Sequence, residues 1–161
     1  MRAFIALAVD LGAIIQATDA DTARARDARF KAGAPEVFSY PAPQLGPGIW
    51  AGGHPAVGHV FPQPVLADGR RLDEAGGDGF VLLADPAVLA AANAAPRVRW
   101  ATQGVRVLPA TGAGATGWLA ANGVVAVLLR PDRYVAAVAP DAAALDSVTD
   151  VLERLPAGTG P

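Results

Sequence analysis

Cysteine is absent from the 161 residues. That gap excludes disulfides, thiolate nucleophiles, CxxC redox chemistry and Cys-ligated zinc together. Histidine is scarce: His54 and His59 are the only two, five apart in a Pro/Gly-rich loop, and two ligands without a third make no zinc site. They read as hydrogen-bonded loop residues, so the sequence assigns no metal site. There is no surplus of charge of either sign, with 13 basic against 15 acidic residues and a net charge of -2. A chain so balanced lacks the electrostatic footprint of a nucleic-acid or anionic-membrane binder. Long apolar runs are also missing, since none approaches the ~20 residues of a membrane span. Met1 to Ile15 begins like a secretory signal, but Asp10 breaks the run and no small-x-small cleavage site closes it. The chain therefore reads as soluble and cytoplasmic.

What is present is a hydrophobic content of 52%, ample for one core with an appendage. Val124 to Ala139, VVAVLLRPDRYVAAVA, organises the rest. Two apolar runs flank Arg130-Pro131-Asp132-Arg133, with Pro and Asp where a type I turn takes its central residues. Val124 to Leu129 has no polar residue on either alternate set, so this strand is expected to be covered on both faces. Phe80 to Ala84 is a second such run, and Asp85-Pro86 then opens a short helix, Ala87 to Ala94. Val105 to Leu108 reads as a strand, and Val98-Arg99-Trp100 as a minor strand or the entry to one. Pro140-Asp141 caps a last helix, Ala142 to Leu155, with Leu145, Val148, Val151, Leu152 and Leu155 on one face.

The N-terminal third differs in texture. Phe4, Leu7, Leu11, Ile14 and Ile15 recur at helical spacing over Arg2 to Ala17, and Thr18 or Asp19 can cap a second helix ending at Lys31 before Gly33 and Pro35. Its Arg24, Arg26 and Arg29 read as a solvated face with Asp27 pairing locally. Prolines and glycines then dominate as far as Pro64. Phe38, Tyr40, Ile49, Trp50 and Phe61 make that segment a strap lying on a surface rather than a polar linker. The organisation expected is a helical segment at 1–33, a strap at 34–56, an α/β domain at 57–156 and a frayed tail at 157–161. Asp68-Gly69 marks a turn. Asp73, Glu74 and Asp78 around Gly76-Gly77 lack calcium-loop spacing and read as solvated turn residues.

Gly112, Gly114 and Gly117 form a literal GxGxxG between a strand and a helix, with Asp132 downstream at about the ~20 residues of a dinucleotide fingerprint. The helix available, Gly117 to Gly123, is too short to cross back over a sheet. The preferred reading is a glycine-rich loop opening a short helix with Trp118 and Leu119 on its core side; nucleotide binding there is the enzymatic alternative.

Two patterns carry a family resemblance. Gly58, Gln63-Pro64, Asp68-Gly69, Leu72-Asp73 and Gly79-Phe80 form one, and Leu129-Arg130-Pro131-Asp132-Arg133-Tyr134-Val135-Ala136 the other. Together they resemble the C-terminal domain of FAD-dependent aromatic-ring hydroxylases, most closely the 3-(3-hydroxyphenyl)propionate hydroxylases. FIALAVDLGAIIQATDADTARARDARF is similar to the helices that close the flavin-bearing domain in those enzymes. The resemblance implies a thioredoxin-like fold, a mixed sheet flanked by helices with the Val124 and Tyr134 strands as its terminal hairpin, here without CxxC. It also implies a parent enzyme of aromatic catabolism that uses FAD and NAD(P)H. The family's nucleotide and flavin motifs lie upstream of the matched region, so no residue here is assigned as catalytic or FAD-binding, and this chain alone is expected to be inactive, an accessory domain made as a fragment. Its partners would be the flavin-binding domain of the same enzyme and a second copy in a homodimer, through Phe4, Leu7, Leu11, Ile14 and Trp50. The alternative is a free-standing thioredoxin-like module that binds a small molecule or a protein.

Overall fold

A computed structural model describes residues 2–33, 48 and 50–154. The chain divides into two units, Met1–Pro41 and Ala42–Pro161. In the first, α1 (Arg2–Ile15) and α2 (Ala20–Lys31) form as the apolar spacing and the cap predict. Asp19 accepts a hydrogen bond from the Thr22 N–H at 2.8 Å, and the helix ends ahead of Gly33 at φ 71°. This is the N-cap and left-handed stop that end residues of these types supply.

In the second unit the element order is α3 (Leu72–Gly76), β1 (Val81–Ala84), α4 (Pro86–Ala91), α5 (Ala94–Thr102), β2 (Arg106–Pro109), α6 (Ala113–Ala121), β3 (Ala126–Leu129) and β4 (Val135–Ala139), then two 3-10 turns, Ala144–Ser147 and Asp150–Arg154. The strands form one mixed sheet in the order β2-β1-β3-β4. β1 and β2 are parallel, β3 is antiparallel to β1, and β3 and β4 make an antiparallel hairpin. The fold is thus a mixed sheet flanked by helices, as the sequence implies.

Every residue of β1 and β3 is buried, as the unbroken apolar runs require. Alternation sends Val81, Leu83, Val127 and Leu129 to one face, against Leu72, Ala75, Ala115 and Leu119 of α3 and α6. It sends Leu82, Ala126 and Leu128 to the other, against Trp100 of α5 and Leu145, Val148 and Leu152 of the C-terminal turns. Each fully buried Leu or Val contributes about 1.5–3 kcal/mol.

Residues 51–61 run along the outer edge of β4. Ala51 N donates to Ala136 O at 2.7 Å, Gly58 N to Val135 O at 3.0 Å, Val135 N to His59 O at 2.9 Å and Phe61 N to Arg133 O at 2.8 Å. A register shift opposite Leu128 and Leu129 makes Ala136 the extra residue of a bulge, and Ala51 takes its carbonyl. Trp50 packs on the first core cluster. Phe38, Tyr40 and Ile49 of the expected strap, Leu155 and the tail at 157–161 lie outside the described residues.

Three expectations are corrected. Val98-Arg99-Trp100 is not a strand but the middle of α5: Pro96 sits in the first turn, where a missing N–H costs nothing, and Pro96 and Trp100 bury one helical face while Val98 is exposed. Asp73 and Glu74 belong to α3 rather than to a turn, with the Glu74 carboxylate accepting from Arg71 N at 3.0 Å. The C-terminal segment forms two 3-10 turns rather than one α-helix, although Leu145, Val148, Val151 and Leu152 are buried and Asp141 caps it through Ala144 N at 2.9 Å.

Candidate functional site

The hairpin turn joining β3 and β4 is where separate parts of the sequence meet. Arg133 N donates to Arg130 O at 2.9 Å and Arg130 N to Tyr134 O at 2.9 Å, closing a three-residue loop in which Arg133 takes φ 61°, the left-handed position that ends such loops. The Arg130 guanidinium grips Asp132 through Nε at 3.0 Å and a terminal nitrogen at 2.8 Å. Arg133 faces the other way. It donates to the Asp73 carboxylate, to Gly77 O and to Gly79 O, so its planar fork ties the turn to the end of α3 and the loop before β1. Asp73 also accepts from the Gln63 amide, and Gln63 Oε1 accepts from Asp73 N at 3.2 Å.

Gln63, Asp73, Gly79 and Arg133, four residues of the two family patterns, are therefore one network. Their separations in sequence carry no periodic signal, so spacing alone could not assemble them; their joint presence in the patterns is the only pointer. The Arg133 side chain is 15% exposed and Asp73 51% exposed. The network presents no unpaired nucleophile or base, and its geometry serves to hold three loops together.

The glycine-rich segment is not a loop ahead of a helix at Gly117–Gly123: α6 already begins at Ala113 with Gly112 as its N-cap, so Gly114 and Gly117 lie within the helix, and the segment's geometry opposes nucleotide binding. Gly112 has φ 84°, and a Cβ there would meet Val65 O at 2.6 Å; one on Gly114 would meet Pro64 at 3.1 Å. The faces that a pyrophosphate would approach are occupied by residues 64–67. At Gly117, the position that in a dinucleotide fold permits close helix–strand packing, a Cβ would meet nothing within 4 Å. Moreover α6 leads to β3, which runs antiparallel to β1, so the unit is not a parallel βαβ. The residues do not fit FAD or NAD(P)H.

His54 donates or accepts between Asn122 O and Ala56 N, both at 3.2 Å. Because Ala56 N–H needs an acceptor, Nδ1 is unprotonated and Nε2–H donates to Asn122 O. His59 instead lines a cleft of about 250 Å³ with Pro55, Val60 and Trp118. The Trp118 ring is braced by Phe61 at 4.6 Å and 58°. Among the described residues no three His, Asp or Glu side chains stand together as metal ligands. Asp68 is held below the usual carboxylate range by its hydrogen bond from Arg70, and Asp19 by those from Thr22. Both shifts run opposite to what a general acid needs.

Of the expected interface residues, Leu7, Leu11 and Ile14 are half-buried and Phe4 is 39% exposed, while Ile5, Val9 and Ile15 of the same helix are more exposed still. Trp50 is taken up by the core cluster of its own unit. No helix among the described residues is long and apolar enough to cross a membrane.

A family model described as the HcaD C-terminal domain matches residues 58–154. No curated protein matches. Among solved structures, K252c-soaked RebC aligns at 18% identity over 88% of this chain and 30% of that one, with a TM-score of 0.50. The OxyS anhydrotetracycline hydroxylase from Streptomyces rimosus aligns at 28% identity over 65% of this chain and 21% of that one, with a TM-score of 0.48. The flavin-dependent monooxygenase PieE, in complex with FAD and substrate, aligns at 24% identity over 89% of this chain and 31% of that one, with a TM-score of 0.44. The chain spans less than a third of the length of each.

Proposed function

The chain belongs to the HcaD C-terminal domain family, and from that premise we propose that it is the accessory C-terminal domain of a flavin-dependent aromatic monooxygenase, structural rather than catalytic. The family match over 58–154 is the observation that carries the reading. The Gln63, Asp73, Gly79 and Arg133 network supports it, because residues of both family patterns are engaged in holding the scaffold and none is left aimed at a reacting group. The sheet order, with a parallel pair followed by an antiparallel terminal hairpin, supports a thioredoxin-like assignment. The finer reading, kinship with 3-(3-hydroxyphenyl)propionate hydroxylases in cytoplasmic aromatic catabolism, rests on the sequence patterns.

In this reading FAD and NAD(P)H are held by the flavin-bearing part of the enzyme, and the flavin supplies the oxygen chemistry. The chain's part is to cover that domain, through the apolar α1, or to join two copies. α1 is apolar on most of its circumference, which marks a helix that is covered in the assembled protein.

The cleft beside His59 and Trp118 favours a second reading, a free-standing binding module. Titration of the purified chain with FAD and with NAD(P)H, followed by flavin absorbance, calorimetry and melting temperature, tests the first. The expected result is no flavin spectrum, no heat and no protection. Tight FAD binding would overturn the accessory role. A reading frame upstream of Met1 that encodes a dinucleotide fingerprint separates the accessory domain from the free-standing module.

A further inference from the structure

We infer that residues 144–154 are a two-state element, a pair of 3-10 turns that converts to a single α-helix, with the ion pair between Arg99 and Asp150 as its catch. Three observations converge on this segment. Its apolar residues at 145, 148 and 152 keep α-helical spacing, yet the backbone is in the tighter 3-10 form, a form that is poor in hydrogen-bond geometry and confined to short runs. Thr149 is fully buried with its hydroxyl unpaired, a costly arrangement. In an α-helix that hydroxyl reaches the carbonyl of Leu145, four residues back. Finally, a cavity of about 280 Å³ lies between α4 and the first turn, bounded by Val88, Ala92, Ala143 and Asp146, which gives the segment room to repack.

Electrostatics explains why the 3-10 form is occupied. The α form would bring Asp146 and Asp150, which lie in separate 3-10 turns, four residues apart onto one stripe, where like charges repel. The 3-10 form instead has Asp150 drawn to Arg99 of α5 at 2.8 Å. Both terms act between exposed groups and both weaken with salt, so screening favours the α form. Conversion shortens the eleven residues by roughly 5 Å, from the difference in rise per residue, and draws the end of the segment inward. The catch thereby couples the charge environment of α5 to the length of the segment 144–154.

The test is NMR on the full chain: Cα shifts and relaxation dispersion for residues 144–154, at low and high NaCl. Exchange confined to this segment, with shifts moving toward α values as salt rises, is the expected result. Arg99→Gln should produce the same movement at low salt by releasing the catch. Thr149→Val, which removes the hydroxyl that is unpaired in one form and paired in the other, should move the shifts back toward 3-10 values. One set of shifts without exchange, in either helical form, would overturn the inference, as would exchange indifferent to salt and to both substitutions.

Discussion

Arg133 is a residue whose backbone and side chain make opposite demands. At φ 61° a non-glycine residue costs about 1–2 kcal/mol, and the position would suit glycine were the guanidinium not needed across the turn. Hydrogen bonds to a charged group contribute about 1.5–3 kcal/mol where they are shielded, less where solvent screens them as it does on the Asp73 side. Arg133→Ala should therefore lower unfolding free energy by about 2 kcal/mol and Arg133→Gly by only about 1 kcal/mol, since glycine relieves the backbone. Urea denaturation of both variants checks this; equal losses would show that the backbone term is absent. The glycines at 112–117 can be separated the same way. Gly112→Ala places a Cβ against Val65 O at a positive φ and should cost about 3 kcal/mol. Gly117→Ala, exposed within α6 with open space around it, should stabilise by about 0.5–1 kcal/mol. Asp19 supplies a pH signature. Its carboxyl is held below the usual range by Thr22, so the cap's contribution is present above the unfolded value and is lost as pH falls through the lower folded one. The α2 amide shifts should change on acidification below the ordinary carboxylate range, and Asp19→Asn should abolish that change.

At the scale of elements, the sheet protects both its edges by different means. Along β4 the segment 51–61 takes the free backbone groups. Along β2, Arg106 N and Ala110 N point inward to Phe80 O and Ala84 O, which leaves Val107 and Pro109 facing out. Pro109 has no N–H, and Val105 N is already bound to Trp100 O at 2.9 Å, so the outward edge offers little to a pairing strand. Pro109→Val should restore a donor and produce concentration-dependent association in sedimentation velocity; no change would mean that something other than proline closes this edge. β1 and β3 are legible in the sequence because burial on both faces leaves a short unbroken apolar run bounded by turn residues. α5 is not, because Pro96 suggests a stop although it sits in a first turn, and Val98 suggests a strand although it faces solvent. The Arg133 network is legible only as a family pattern, since its members come from four elements or loops whose meeting depends on the hairpin being built.

At the scale of the molecule, the two units differ in what holds them. The larger buries most of two cores around its sheet, whereas α2 has no buried residue at all and α1 leaves Phe4, Ile5, Val9 and Ile15 exposed. A pair of helices of fourteen and twelve residues with so little burial gains little over the marginal stability of isolated helices. In the chain by itself, then, amide exchange should be fastest across α1 and α2 and slowest in β1 and β3, where every residue is buried. Deleting residues 1–33 should leave the melting temperature of the rest within a degree or two, because none of the described residues there belongs to either core cluster. Under the accessory role proposed above, adding a flavin-bearing domain should protect the α1 amides to the level of the sheet, and Leu11→Glu should prevent that protection without altering the sheet's own exchange. Strong protection of α1 in the chain alone would show instead that its apolar surface is already covered, and the accessory role would lose its docking helix.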